Sequence, residues 1–453
     1  MPEPIKVAKF GGSSVANADA MRRCARIIAD DPERAVAVLS ATSGTTNLLT
    51  LLPEKAEGNE REQIFRSIEE NHESIADDLN VSEETRLAVR GYLSELREVA
   101  TYGSLESLEV KDRICSFGEL ISTTLFTDLL NQEGVDAVWI DARTLIRTDA
   151  QFGSAEPDTE AIRKAVTAQL RPLMGDRRVV TQGFIGSEPE GRTTTLGRGG
   201  SDFTAALLAE ALDTQVLEIW TDVDAIYTTD PRVVEQAQPI TEITFDEAAE
   251  LSVFGAKVLH PATLKPAIRK DIRVYVGSSI HPERPGTWIV QKSGQLPVIR
   301  AISLRRDQTL VTVHSLDMLH RHGFLAQLFR ILADHRISVD LVTTSEVSVS
   351  LTIDTNHDGL RHRLSSGVIG ELSEFADVEV EKGLVLIALV GNQLDRTAGI
   401  SGQLFQLLDE INIRLICHGA STHNLCFLVE EARADEVVQK LHAHFIEREE
   451  ALL

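Results

Sequence analysis

The sequence has 453 residues, 43% of them hydrophobic and 25% charged, with a formal net charge of −24. That length exceeds one ordinary core, so two or three domains are expected. The charge repels nucleic acid and anionic membranes; it disfavours both as partners and means that any phosphate site must gather its own local cations. The longest apolar run, 384 to 390, is too short to span a bilayer, and the N-terminus lacks a signal-peptide pattern. Four cysteines without CxxC spacing or partner histidines predict ordinary core thiols in a reduced, cytoplasmic protein.

In chain order, IKVAKF, AVAVLS, AVWIDA, RVVTQGF, VLEIWTD and IRVYVGSS read as strands. Several are apolar with little alternation, the pattern of strands buried on both faces. Helical patterns lie between them, for example at 19 to 30 and 203 to 212, and 52 to 134 reads as mostly helical with a solvated, glutamate-rich face. Strand alternating with helix predicts a parallel sheet covered on both sides. The strand ends carry glycine, hydroxyl, lysine and aspartate residues, and ligands of open parallel sheets collect at those ends.

Residues 281 to 297 hold three prolines and two glycines and mark a domain boundary. Beyond them the stretch starting at 327 recurs 76 residues later, so that Leu310 matches Leu386, Gly323 matches Gly399 and Ser345 matches Ser421. Each copy reads as strand, glycine turn, amphipathic helix and two strands. The repeat is either a paired binding module or two small domains that pack together.

Chemistry concentrates in a few stretches. TTTLGRGGSD, at 193 to 202, sets three glycines beside one cation and one anion. A dinucleotide turn does not fit, because Asp202 stands in the third glycine place and no strand is read immediately before the turn. An anion nest fits: the N–H groups of Gly197, Gly199 and Gly200 converge, Ser201 caps a helix beginning at Phe203, and Arg198 offers a planar fork. An ordinary glycine turn before a helix is the alternative. KFGGSSV places Lys9 at a strand end before two glycines, suited to neutralise a transferring phosphoryl group. Lys257 in FGAKVLHP is a second candidate, and Asp222, Tyr227 and Arg232 fit a nucleotide pocket. Glu119, in CSFGELISTTLF, faces apolar neighbours, and a buried carboxylate needs a cation. An amino-acid substrate would supply one, its ammonium to Glu119 and its α-carboxylate to Arg198.

Together KFGGSSV, FGEL, QGFIGS, TTTLGRGGSD, WTDVDAIYTTDPR and FGAKVLHP resemble, in order, the aspartate kinases of the amino-acid kinase family. The likeness runs from about residue 5 to about 448 and is strongest to the lysine-sensitive, single-function type. It implies an amino-acid kinase fold, a parallel-sheet αβα sandwich, over 1 to 292, with a substrate lobe to about 180 and a nucleotide lobe beyond. Two ACT-like (ferredoxin-like) α+β units are implied at 298 to 383 and 384 to 453. The implied reaction is phosphoryl transfer from ATP, with Mg2+, to the β-carboxylate of aspartate. Lys9 and Asp202 would be catalytic, and Gly11, Gly12 and Ser13 would line the phosphate path. Thr46, Glu119, Arg198, Gly199, Gly200 and Ser201 would hold aspartate; Thr221, Asp222, Tyr227, Arg232 and Lys257 would hold ATP. A lysine effector maps to Met318, Arg321, Gly323, Phe324, Leu325, Ser338, Val339, Asp340, Ser345 and Glu346. A homodimer or dimer of dimers is implied.

Two positions depart from the pattern. Asp224-Ala225 stands where similar sequences often carry Pro-Gly and adds a carboxylate near the nucleotide. Arg321 replaces a small hydroxyl residue, and either repels the effector's ammonium or clasps its carboxylate. Rival readings are a relative acting on glutamate, acetylglutamate or UMP, which the tandem repeat disfavours, and a silent lysine sensor, which has no need of the opposed charges. A fused homoserine dehydrogenase has no room in this length.

Overall fold

A computed structural model describes residues 5–54, 59–175, 177–255, 261–294, 297–319, 322–354 and 364–447. Two compact units emerge, one from Met1–Ile226, Pro239–Ala248 and Val258–Ser293, the other from Tyr227–Gln238, Ala249–Lys257 and Gly294–Leu453.

The strands of the first unit are β1 (Lys6–Phe10), β2 (Arg34–Leu39), β3 (Ala137–Ile140), β4 (Arg178–Gln182), β5 (Ile185–Ser187), β6 (Thr193–Thr195), β7 (Val216–Thr221), β8 (Glu242–Thr244), β9 (Arg273–Ser278) and β10 (Thr287–Val290). The helices in this part of the sequence are α1 (Ala18–Asp30), α2 (Thr45–Leu51), α3 (Asn59–Asp78), α4 (Glu83–Tyr102), α5 (Leu108–Gln132), α6 (Ala142–Leu145), α7 (Thr159–Ala165), α8 (Gly200–Leu212), α9 (Phe245–Val253) and α10 (Lys265–Lys270). Eight strands form one sheet in the order β3-β4-β2-β1-β7-β9-β10-β8. All six runs read from the sequence lie in it. Its pairings are parallel except that β10 runs antiparallel to β9. The unpredicted β8 and β10 have three and four residues, too short for a periodicity to register.

Strand order places the site. From β1 the chain passes to β2 on one side, whereas β7 joins on the other. That reversal opens a crevice beyond the carboxyl end of β1, where GGSS begins. β1 is buried because Val7, Ala8 and Phe10 are apolar and covered on both faces.

TTT at 193 to 195 is a strand after all. β6 pairs antiparallel with β5 in a separate two-stranded sheet, so the turn follows a hairpin and not a strand of the parallel sheet. Nor does Ser201 cap a helix at Phe203. The helix α8 begins at Gly200, and its cap is Gly199 in the left-handed region (φ 69°), with Phe203 N–H donating to the Gly199 carbonyl at 3.0 Å. A backbone that only glycine adopts cheaply has replaced the hydroxyl cap.

The second unit is built on β11 (Ile299–His314), β12 (Val342–Thr344), β13 (Ser348–Asp354), β14 (Asp377–Gly391), β15 (Leu415–His418) and β16 (Asn424–Glu430), with α11 (Phe324–Asp334), α12 (Ser366–Ser373), α13 (Ile400–Leu407) and α14 (Glu431–Phe445). One antiparallel sheet, β12-β13-β11-β14-β16-β15, carries both copies of the repeat. Two apolar cores lie on it. Val311, Val313, Leu328 and Leu351 belong to one, and Ile299, Ile302, Val385 and Phe427 to the other. The long β11 serves both, crossing between them at an irregularity from Arg305 to Gln308 where Asp307 takes φ 60°. The matched glycines Gly323 (φ 85°) and Gly399 (φ 91°) each cap the helix that follows, which is why the repeat keeps them. Residues 227 to 238 fold with this unit: Val234 enters the second core, and the Thr228 hydroxyl meets Nε2 of buried His442 at 2.9 Å.

Candidate active site

A cavity of about 320 Å³ at the sheet's carboxyl edge is lined by Lys9, Ser40, Thr46, Glu119, Phe184 and the run Gly197–Asp202. Lys9 and Arg198 therefore share one cleft. The Lys9 ammonium lies 2.6 Å from Asp202 Oδ1, an ion pair whose side chains are 11% and 13% exposed. Lys9 reaches it because β1 is interior, with Val38 and Ile219 flanking it on β2 and β7. Gly12 is dictated by crowding and not by φ, since a Cβ there would sit 2.9 Å from the Ala41 carbonyl, whereas one on Gly11 would make only an ordinary contact, 3.6 Å from Lys9 Nζ.

Glu119 is delivered by α5. Its FGEL glycine lets the helix touch the β2 turn, since a Cβ on Gly118 would come within 2.7 Å of the Ala41 Cβ. With α5 that close, Glu119 Oε1 accepts the Ala41 N–H at 3.1 Å. Oε2 is buried and has no hydrogen-bond partner among the described residues. Burial outweighs the Ala41 bond and pushes the carboxyl up to about 8. Among the described residues no cation pairs with it.

QGF supplies the opposite wall. A Cβ on Gly183 would lie 2.5 Å from the Ser201 Cβ, so glycine alone lets the end of β4 abut the first turn of α8. Gly183→Ala is expected to cost about 1–3 kcal/mol by overpacking and to raise KM for the acceptor, read by thermal melting beside steady-state kinetics. Phe184, next along, adopts φ 71°, unusual for a bulky residue, and is held by Thr204 Oγ1 on its N–H and Leu196 N–H on its carbonyl.

Of the residues assigned to ATP, Gly11, Gly12 and Ser13 follow β1, Thr221 ends the adjacent β7 and Asp222 follows it. These ends are laced together: Gly11 N–H donates to the Trp220 carbonyl (3.2 Å), and Ser279 Oγ to Ser14 Oγ (2.7 Å). Tyr227 and Arg232 fall in the second unit, where the highly exposed Arg232 pairs with Asp230 at 2.7 Å. Lys257 and Arg321 lie outside the described residues. The extra carboxylate of Asp224 is met by Arg284 at 2.6 Å, which holds its pKa below the usual range against the opposing effect of burial.

The residues mapped to an effector lie in the second unit. Met318 closes a short 3₁₀ turn, Gly323, Phe324 and Leu325 open α11, and Ser338 and Val339 lead to Asp340, which is ion-paired with Arg305. Ser345 and Glu346 form the β12–β13 turn, with Ser345 Oγ at 2.7 Å from Ser348 Oγ. The Ser315 N–H donates to the Val347 carbonyl at 2.9 Å, setting that turn beside the residues leading into Met318.

Ser40, Phe184 and two supporting side chains escaped the sequence reading. His72, fully buried on α3, contacts Thr42 Oγ1 at 3.2 Å, and Thr42 in turn meets Thr45, one residue before Thr46. Burial holds its imidazole below the ordinary 6.5. Asp112 lies on α5, seven residues before Glu119. Only that spacing, two helical turns on one face, hinted at it.

A parallel sheet with a switch point, glycine-hinged turns and a cleft of opposed charges defines a phosphotransferase of the amino acid kinase class. The Amino acid kinase family model matches residues 4–278, and an ACT domain model matches 311–358 and 387–445. Lysine-sensitive aspartokinase 3 of Escherichia coli (strain K12) is 51% identical over 449 residues, covering 98% of this chain and 99% of that protein. Chloroplastic aspartokinase 1 of Arabidopsis thaliana is 39% identical, covering 97% and 80%. The crystal structure of E. coli aspartokinase III with lysine and aspartate (T-state) superposes with a TM-score of 0.89 over 98% of this chain and 99% of that one. The structure of the same enzyme with aspartate and ADP (R-state) gives 0.84, over 97% and 99%. The chain belongs to the aspartokinases of the amino acid kinase family.

Proposed function

We propose that this protein transfers the γ-phosphoryl group of ATP to the β-carboxylate of L-aspartate, giving β-aspartyl phosphate and ADP, and that lysine inhibits it through the ACT modules. The observation that carries the reading is the buried, cation-seeking Glu119 in one cleft with Lys9, Asp202 and Arg198. A carboxylate that needs an ammonium, beside a guanidinium fork, suits the two ends of an α-amino acid. The acceptor carboxylate is already ionised at neutral pH, so no general base is needed. One carboxylate oxygen attacks the γ-phosphorus as the bond to the ADP oxygen breaks, and no proton moves. What the protein supplies is alignment and screening of two anions by Lys9, Arg198 and the N-terminus of α8. ATP enters as its magnesium complex, with Gly11, Gly12, Ser13, Thr221, Asp222, Tyr227, Arg232 and Lys257 assigned to it.

In the second unit, the residues around Met318, Gly323, Ser338 and Ser345 would hold lysine. Because Asp340 already pairs with Arg305, lysine must displace or share that partner, or use Glu346. We assign the protein to the cytoplasm and to a homodimer or dimer of dimers; among the described residues no helix is long and apolar enough to cross a membrane. An ADP-release assay with aspartate and ATP tests the whole reading. Turnover with aspartate well above that with glutamate, suppressed by lysine but not by threonine, is the expected outcome. Activity unmoved by lysine up to millimolar overturns the regulatory half, because an effector acts only by preferring one state of the protein.

A further inference from the structure

We propose that Asp112 is a positioning residue that fixes the distance across the substrate cleft and so sets the discrimination between aspartate and acceptors one methylene longer; this rests on the function proposed above. Asp112 is 3% exposed and lies outside the cavity lining. Its Oδ2 accepts two backbone N–H groups, Gly153 and Thr195, each at 2.9 Å, and its Oδ1 accepts the Thr195 hydroxyl at 2.8 Å. Thr195 then returns a bond, its carbonyl accepting the Ala155 N–H at 2.9 Å. One carboxylate thus ties α5, the 150–155 loop and the end of β6 together.

The position of that knot matters. Thr195 is three residues before Arg198, and Gly197 between them packs on the same loop, a Cβ there lying 3.4 Å from the Gly153 carbonyl. Downstream the turn is closed by Gly200 N–H to the Gly197 carbonyl at 3.0 Å. The segment carrying the guanidinium is therefore pinned at both ends, one end by Asp112. Asp112 and Glu119 share a face of α5, so a single rigid helix anchors both the group awaiting the ammonium and the loop awaiting the α-carboxylate.

Charge strengthens the pin. A buried carboxylate is costly unless its lone pairs are filled, and three donors fill them here with charge-assisted bonds. In Asp112→Asn the amide oxygen keeps both backbone N–H groups and the NH₂ donates to the Thr195 hydroxyl, so only the charge is lost, whereas Asp112→Ala removes all three bonds and lets the loop recede. A receding Arg198 weakens the hold on aspartate and makes room for a longer acceptor, because the span from Arg198 to Lys9 measures acceptor length.

The test uses the full-length protein, with aspartate and glutamate as alternative acceptors in steady state. Asp112→Ala is expected to lower kcat/KM for aspartate about 10–100-fold, mostly through KM, while KM for ATP stays within about twofold. The aspartate-to-glutamate ratio should narrow about tenfold. Thr195→Val, which removes only the hydroxyl bond, should move both quantities the same way by less, and Thr195→Ser should restore the discrimination. If Asp112→Ala does not fold, the Thr195 pair carries the test. A ratio that stays at the wild-type value in Thr195→Val, or constants for both acceptors and ATP that fall together with folded fraction, overturns the inference and leaves Asp112 a structural carboxylate. Absence of aspartate turnover in the wild type sinks the functional reading itself, before any variant is compared.

Discussion

Lys9→Ala is expected to lower kcat by about 10²–10³-fold while KM for aspartate changes little, because the ammonium acts on charge that develops during transfer. The scale is that of one oriented charge in a water-poor site, about 3–4 kcal/mol. The ion pair with Asp202 adds a second consequence. Removing the lysine leaves a mostly buried carboxylate unpaired, which should lower Tm, whereas Lys9→Met combined with Asp202→Asn removes both charges and should recover part of that stability without recovering turnover. Lys9→Arg keeps the charge but widens it into a planar fork, so only partial activity is expected. Near-normal turnover in Lys9→Ala would remove Lys9 from the mechanism. A melting loss alone, with activity per folded molecule intact, would reduce the pair to a structural bridge.

Glu119→Gln is expected to raise KM for aspartate by about two to three orders of magnitude, since losing one partner of a buried charge pair costs about 2–5 kcal/mol. Its pH behaviour is more distinctive. In the empty cleft the carboxyl titrates near 8, against an ordinary 4.5, so at pH 7 it is mostly protonated. It must ionise to take the substrate's ammonium, and binding at pH 7 should release most of one proton. Calorimetry in buffers of differing ionisation enthalpy reads that proton directly, and Glu119→Gln should abolish it. KM for aspartate should accordingly fall as pH rises from 6 through 8 in the wild type and stay flat in the variant.

The linkage to stability has a definite sign. The folded-state pKa lies above the unfolded value, so the group's contribution is fully present below about 4.5 and is lost as pH rises through about 8. The ligand-free protein should therefore lose Tm over that window relative to Glu119→Gln, and saturating aspartate should close the gap. Parallel melting curves across pH 5 to 8.5 would mean that Glu119 is already ionised and already partnered.

The sequence by itself determined whatever is encoded locally. Buried parallel strands announce themselves as apolar runs, so all six long runs were legible, as were the glycine-capped helices of the repeat. Lys9, Glu119, Arg198 and Asp202 were legible because each is a charged residue beside glycine or apolar neighbours, where a solvated face is a poor explanation. Three-residue strands such as β6 were not, because three residues establish no period and their pairing comes from across a hairpin. Tertiary structure alone decided that Lys9 and Arg198, 189 positions apart, line one cleft, since strand order and not proximity in sequence creates the crevice. It alone revealed what Asp112 and His72 hold, since Thr195 and Thr42 lie 83 and 30 residues away from them. It also drew residues 227 to 238 into the second unit through Val234 and Thr228. Contacts of that kind depend on which surfaces meet after the sheet has formed, and a one-dimensional pattern records only the faces, not their partners.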